Sequence, residues 1–510
     1  MAEDLANKVA NLAARRGIIF PNSEIYGGVA GFFDFGGYGA EMKRNLESAW
    51  WKHFVTERQD VVGMDGAIIT SPRVWMASGH TEAFNDPLVE CEKCGAKHRA
   101  DHLVEDALKI SVDGLSIDKL SELITKHKIA CPKDKGQLKI ARMFNLMFKT
   151  EVGAKGGEDN TAYLRPETAQ LIFTDFKRVQ ASSRKALPFG IAQIGKAFRN
   201  EISPRNFVFR CREFSQMEIE YFVHPKKLND CPVLAGHLEQ SALFVTEEDQ
   251  KKDGKGRKIT LRQALDNHVV KTRWHAYWIG ECLSWLEGIG LNPTKLRVRQ
   301  HISTELSHYS SETWDIEYDY PWGWKELQGI ANRSDFDLKQ HAAHSGQDLS
   351  YFDEESKEKV IPFVIEPSIG VERLLFTLLL DAYEEKTDAK GSTIVLNLHP
   401  AVAPVQLGIL PLMKKDGMRE KALCVLESLQ GNVTCEYDES GSIGKRYARN
   451  DEVGVPYCLT VDYDTLKDDT VTVRERGSGR QIRVSLQAVA KTIRGLVEGK
   501  LSFEDAGSLL

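Results

Sequence analysis

Nowhere in the 510 residues is there a run approaching the roughly 20 apolar residues of a membrane-spanning helix, so no membrane partner is expected. The N-terminus also lacks the apolar core of a secretory signal; Leu5, Val9 and Leu12 instead share one stripe of a helix. A disulfide framework is missing. The nine cysteines are odd in number and irregularly spaced, which points to reduced thiols and a cytoplasmic setting. Charge of one sign is not in excess either: 67 Lys and Arg against 73 Asp and Glu leave a net charge of −6. Nucleic acid would have to be held by local basic patches, not by the field of the whole molecule. What is left, 42% hydrophobic and 27% charged, is a folded protein with room for two or three domains.

Glycine is concentrated rather than scarce. Between Ile18 and Gly39 glycines alternate with aromatic residues, ahead of a helix expected from about Ala40 with Met42, Leu46, Ala49 and Trp50 on one face. A phosphate loop is excluded here, because both the dinucleotide-binding spacing and the Gly-Lys-Ser/Thr ending are absent. The helix suits either a core or a subunit interface. Cys91 and Cys94 form a Cys-x-x-Cys pair followed by Cys131, and a closed structural zinc site needs four ligands. His98 and Asp134 are the candidates for the fourth; the other reading is a degenerate knuckle with free thiols. The apolar spacing of Leu115, Ile117, Leu120, Leu123 and Ile124 belongs to an insertion of two small helices. After a glycine-rich loop at 153–157, Pro166 suits the first turn of a helix through Ala169, Ile172 and Phe176, with Glu167 near its positive end.

The richest stretch is 191–222. Two β-patterned runs flank residues 202–206, where Pro204 interrupts the pattern, and an antiparallel hairpin follows. Alternation puts Gly195, Ala197, Arg199 and Glu201 on one face, leaving room above the sheet beside a cation and an anion. Residues 223–300 lose this alternation. Their charged run at 247–258 is expected as a solvated loop, and Trp274, Tyr277, Trp278, Cys282 and Trp285 recur at helical spacing as a core stripe. Strand patterning returns at 312–320, 322–333 and 361–370. A helix then carries Val371, Leu374, Leu375, Leu378 and Leu379 inward, with Arg373 in its first turn, where helix end and guanidinium together suit a phosphate.

The wording of these stretches carries a resemblance. Phe198-Arg-Asn-Glu201, Ser203-Pro-Arg205 and Phe209-Arg-Cys-Arg-Glu-Phe214 resemble motif 2 of the class II aminoacyl-tRNA synthetases, in the form used by the dimeric glycyl-tRNA synthetases. Gly370-Val-Glu-Arg373 resembles motif 3, and the glycine–aromatic stretch with its helix resembles motif 1, except that Gly37 stands where the family has proline. The resemblance covers almost the whole chain. It implies an α/β protein, with an α+β catalytic domain on an antiparallel sheet assembled from residues 1–88, 141–222 and 301–390. A cysteine-containing insertion would occupy 89–140, a helical insertion 223–300, and a C-terminal α/β anticodon-binding domain 391–510, whose basic runs at 444–449 and 473–480 would meet RNA phosphates.

The implied chemistry is ATP-dependent, Mg²⁺-assisted activation of glycine and its transfer to tRNA(Gly) by a homodimer joined through motif 1, with no DNA involved. Arg199, Arg210 and Arg373 would be catalytic, and permanently charged, multi-donor guanidinium groups suit the anionic oxygens of such a transition state. With Asn200, Glu201, Phe209, Phe214, Glu326, Leu327 and Gly370 they would bind ATP. Glycine would meet Arg99, Glu167, Phe214, Glu218, Arg333, Glu366, Ser368 and Gly370. Two other readings compete. An accessory subunit of a mitochondrial DNA polymerase resembles this family without charging tRNA, but has no use for the arginine and glutamate set. A class IIa synthetase for another small amino acid would share the arginines and differ at the glutamates and Ser368.

Overall fold

The computed structural model describes residues 2–110, 112, 115–153, 160–388 and 391–510, so most of the 153–157 loop lies outside the described residues. Its centre is a nine-stranded sheet of β1 (Val61–Gly63), β2 (Phe189–Phe198), β3 (Glu213–Val223), β4 (Ser241–Val245), β5 (Arg257–Thr260), β6 (Leu296–Gln300), β7 (Glu312–Tyr320), β8 (Gly323–Ser334) and β9 (Phe363–Gly370). The spatial order is β5-β4-β6-β7-β8-β9-β3-β2-β1. The six strands from β6 to β2 are antiparallel, and parallel pairing occurs at the flanks, β1 with β2 and β4 with β6. β2 and β3 form the expected hairpin, in register from Phe189↔Phe222 to Phe198↔Glu213.

Strand alternation divides the two faces of β3. Met217, Ile219 and Tyr221 enter a large core shared with α1 (Ala2–Arg15), α2 (Gly37–Trp51), α4 (Arg273–Gly288) and α5 (Val371–Ala382). Phe222 points the other way, into a second cluster with α3 (Ala169–Ser183). Along that second face the sequence turns from Phe222 to Glu220, Glu218 and Gln216, all buried, so one strand face changes from apolar to polar within two turns of the pleat. The tryptophan-rich stripe of α4 is core, as its spacing predicts.

Several expectations are corrected. Residues 223–300 are not purely helical: β4, β5 and β6 extend the sheet, and β4 shows no alternation because the short Ser-Ala-Leu-Phe-Val run ends doubly buried at Phe244 and Val245. The charged run contains a helix, Glu247–Lys252, because Thr246 and Asp249 form a reciprocal capping box at its start. Pro166 and Glu167 precede α3, whose N-cap is Thr168. Thr393–Leu398 belongs with the large core, where Leu396 and Leu398 pack. The C-terminal sheet begins at Leu407–Pro411 and has a core of its own around Leu407, Ile409, Leu459, Val471 and Ile482. Most of its basic residues are spent internally. Arg446 is buried on the carbonyls of Pro411 and Leu412, Arg474 pairs with Asp451 at 3.0 Å, Arg449 with Asp438, and Arg480 with Glu475; Lys445 stays exposed.

Helix α2 spans between these two cores. At its start Tyr38 Oη donates to the Glu436 carboxylate (2.7 Å) in the C-terminal domain, and Arg15 and Arg16 beside it pair with Glu452. One and a half turns on, Lys43 donates to Glu372 (2.8 Å) and Ser215 (2.8 Å) at the sheet. Gly37 is the first residue of α2, a Cβ there would meet nothing within 4 Å, and Gly36 before it is extended at φ −76° and ψ −170°. Proline is accepted in that setting. Gly37→Pro is therefore expected to stabilise the fold by about 0.4–1 kcal/mol through the unfolded chain, read as a higher urea midpoint.

Candidate active site

A cavity of about 390 Å³ opens over the polar face of β3, β9 and β8. Arg199, Arg210 and Arg373 reach it from three separate stretches. Arg199 follows β2, donates from Nε to the Pro166 carbonyl (3.1 Å), and lies between the rings of Phe84 (5.5 Å) and Phe214 (5.4 Å). Arg210 enters from the loop of the hairpin, 3.8 Å from Glu201, and its buried Nη1 has no hydrogen-bond partner among the described residues. A buried guanidinium N–H without an acceptor is suited to an arriving anion. Burial, with Arg99, Arg373 and Arg205 nearby, lowers the Arg210 pKa despite Glu201. Arg373 is the third residue of α5, rests on the Phe209 ring (4.7 Å), and is held by the Glu326 carboxylate (3.1 Å) and backbone carbonyl (3.0 Å). Gly370 caps that helix.

The acidic end of the cavity is built around Arg333. The pairing of β8 with β9 shifts register between Asn332 and Ser334, and Arg333 sits at that irregularity, which re-aims its side chain. Its guanidinium is 1% exposed, grips Asp337 at 2.8 and 2.9 Å, bonds Glu366, approaches Glu167 (3.7 Å), and stacks 3.9 Å from the Tyr309 ring. Glu167 is also met by His80 Nε2 (3.3 Å) and Gln170 Nε2 (2.9 Å). Burial opposes its charge, but His80 and Arg333 together hold its carboxyl well below the usual range. Glu218 takes a hydrogen bond from Thr168 and is raised by burial and by Glu167. Burial pushes Glu366 up to about 8 against the pull of Arg333. Gln216 ties the set together, accepting from the Thr168 N–H (3.2 Å) and donating to Ser368 Oγ (3.2 Å).

Of the residues singled out from the sequence, Arg99, Glu167, Arg199, Glu201, Phe209, Arg210, Phe214, Glu218, Glu326, Glu366, Ser368, Gly370 and Arg373 line the cavity. Arg333 lies behind it, Leu327 turns its side chain into the large core, and Asn200 ties its N–H to the Leu146 carbonyl (2.8 Å). The room expected over Gly195 is filled: a Cβ there would come within 2.1 Å of the Arg165 guanidinium, which bonds the carbonyls of Lys196 and Gly66. Residues not anticipated include Gln216, which the period of two shared with Glu218 marks, and Asp315, buried, bonded to His301 (2.7 Å) and pushed up to about 6 by burial. His80 and Asp86 were hidden in turn-rich sequence. Arg99, on the strand Lys97–Arg99 of the cysteine insertion, is held by Asp86 (2.6 Å) and Asp101.

In that insertion the ligand atoms of Cys91, Cys94, Cys131 and Asp134 all lie within 4.8 Å of one another. Cys94 and Cys131 sulfurs are 3.8 Å apart, and Cys91 is 3.3 Å from Asp134. Tetrahedral zinc with bonds of about 2.3 Å to sulfur separates two sulfurs by about 3.8 Å, so the donor set fits the ion. His98 Nε2, 3.4 Å from Cys131, stands outside the group of four.

The chain matches a family model described as tRNA synthetase class II core domain (G, H, P, S and T) over residues 148–236 and one described as anticodon binding domain over 406–496. It is 45% identical to a glycine–tRNA ligase of Caldanaerobacter subterraneus subsp. tengcongensis over 503 residues, 98% of each chain. It is 44% identical to those of Bacillus cereus (97% of this chain, 99% of the relative) and Geobacillus thermodenitrificans (99% of each). The chain belongs to the glycine–tRNA ligase family. In this ligase the class II core match falls on the β2–β3 hairpin and α3, and the second match falls on the C-terminal sheet.

Arg333→Met should lower the ligase's unfolding free energy by about 3–5 kcal/mol, since it strands carboxylates that the guanidinium neutralises. The loss should be larger at pH 8 than at pH 6, because the stranded carboxyls keep protons in the folded state and stability then falls as pH rises. Urea titration at both pH values reads both effects.

Proposed function

We propose that the chain activates glycine with ATP to glycyl-adenylate and pyrophosphate, then transfers glycine to the 3′-terminal adenosine of tRNA(Gly) with release of AMP. The convergence of Arg199, Arg210 and Arg373 on one cavity, opposite a cluster of glutamates, carries this reading. Arg199 orients the glycine carboxylate against the α-phosphorus, and Arg210 and Arg373 take the charge of the departing pyrophosphate, with Glu201 seating the nucleotide. No protein nucleophile is needed. Glu167, Glu218 and Glu366 receive the ammonium, and Ser368 closes the pocket beside Cα, where a larger side chain would overpack. Mg²⁺ would be held by Glu326 and Asp315, both of which line the cavity, and would supply charge neutralisation to the phosphates.

Pyrophosphate exchange with glycine, alanine and serine tests the reading. Exchange should depend on glycine alone and fall by about 10²-fold or more in Arg199→Ala. Exchange driven by alanine or serine would reassign the substrate, and silence with all three would favour a binding protein.

Three further assignments belong to the same reading. The Cys91, Cys94, Cys131 and Asp134 set holds a structural zinc; the chain is a homodimer through the motif 1 stretch, where Ile25 and Tyr26 are 89% and 88% exposed; and it works in the cytoplasm, in keeping with nine free thiols. Native mass spectrometry is expected to give a species of two chains with one zinc per chain, and Cys131→Ser to lose the metal but keep the dimer. A monomeric or metal-free parent would refute the respective assignment.

A further inference from the structure

Glu220 has no part in the function proposed above, yet it lies on the same face of β3 as Glu218 and is fully buried. Neither of its oxygens has a hydrogen-bond partner among the N–H and O–H donors of the described residues. Arg333 is engaged by Asp337 and Glu366 instead. What Glu220 faces is another acid. The antiparallel register of β3 and β9 pairs Glu218 with Ser368 and Tyr221 with Ile365, which sets Glu220 opposite Glu366. The carboxyl oxygens of Glu218, Glu220 and Glu366 lie within 4.8 Å of one another.

Two facing carboxyls in a dry site cannot both ionise; one keeps a proton and donates it to the other. Arg333 on Glu366 decides which, making Glu366 the one that gives up its proton more readily. We propose that Glu220 is a positioning residue for glycine: as a neutral acid it donates its O–H to Glu366 and so fixes the carboxylate that receives the substrate ammonium. In agreement, burial and Glu366 raise the Glu220 carboxyl well above its ordinary pKa. A cation at this position would cancel charge that the ammonium needs, and a carboxylate would repel Glu366. A neutral donor steers without cancelling.

The proposal rests on the assignment of Glu366 to the ammonium, and the test separates the two. Pyrophosphate exchange gives KM for glycine and for ATP in Glu220→Gln, which keeps a neutral donor, in Glu220→Met, which keeps volume without one, and in Glu366→Gln. E220Q should hold the glycine KM within about threefold of the parent, while E220M raises it about tenfold or more and leaves the ATP KM within about threefold. A parental glycine KM in E220M, an equal loss in E220Q, or a matching rise in the ATP KM overturns the proposal. Should E220M not fold, E220Q decides alone, a rise of about tenfold in its glycine KM overturning the proposal and a parental value supporting it. If E366Q impairs glycine and E220M does not, Glu220 alone has been misassigned; if E366Q leaves the glycine KM unchanged, the assignment of Glu366 fails and the proposal with it.

Discussion

A single buried guanidinium allows the acidic pocket to exist. Arg333 is desolvated, and so are Asp337 and Glu366, which it bonds, and Glu167 beside it. Any of these carboxylates alone would pay several kcal/mol for leaving water. Sharing one cation spreads that cost, but one positive charge does not neutralise them all. The surplus shows in Glu218 and Glu366, both raised by burial, the latter to about 8. The pocket thus carries more acid than its one guanidinium neutralises, which is the basis for proposing an ammonium there.

Legibility in the sequence follows the reach of the forces involved. The β2–β3 hairpin, the amphipathic stripe of α5 and the tryptophan stripe of α4 are set by periods of two and 3.6, which short windows carry in full. The three arginines were legible because the residues around them resemble family motifs. What escaped depends on partners distant in sequence. Arg446 and Arg165 are ordinary basic residues until the fold brings the Pro411 and Lys196 carbonyls to them. Arg333 is behind the cavity because a register shift aims it there. The short strand β4 is defined by its place between β5 and β6, not by a pattern of its own.

The same contrast separates arginines that can serve a ligand from those that hold the fold. Arg210 keeps a buried terminal N–H without an acceptor at the cavity, whereas the terminal nitrogens of Arg474 and Arg446 are filled by Asp451 and by the Pro411 and Leu412 carbonyls. Counting basic residues in a run therefore overstates the positive surface of the C-terminal domain, and the partners of each guanidinium correct the count.

Helix α2 is pinned at Tyr38 to Glu436 and at Lys43 to Glu372, the residue before Arg373. A strut fixed at both ends turns two domains into a gauge of set length. A ligand that touches both must match that length by its own shape or bend, so the molecule measures its partner's dimensions as well as reading its local chemistry.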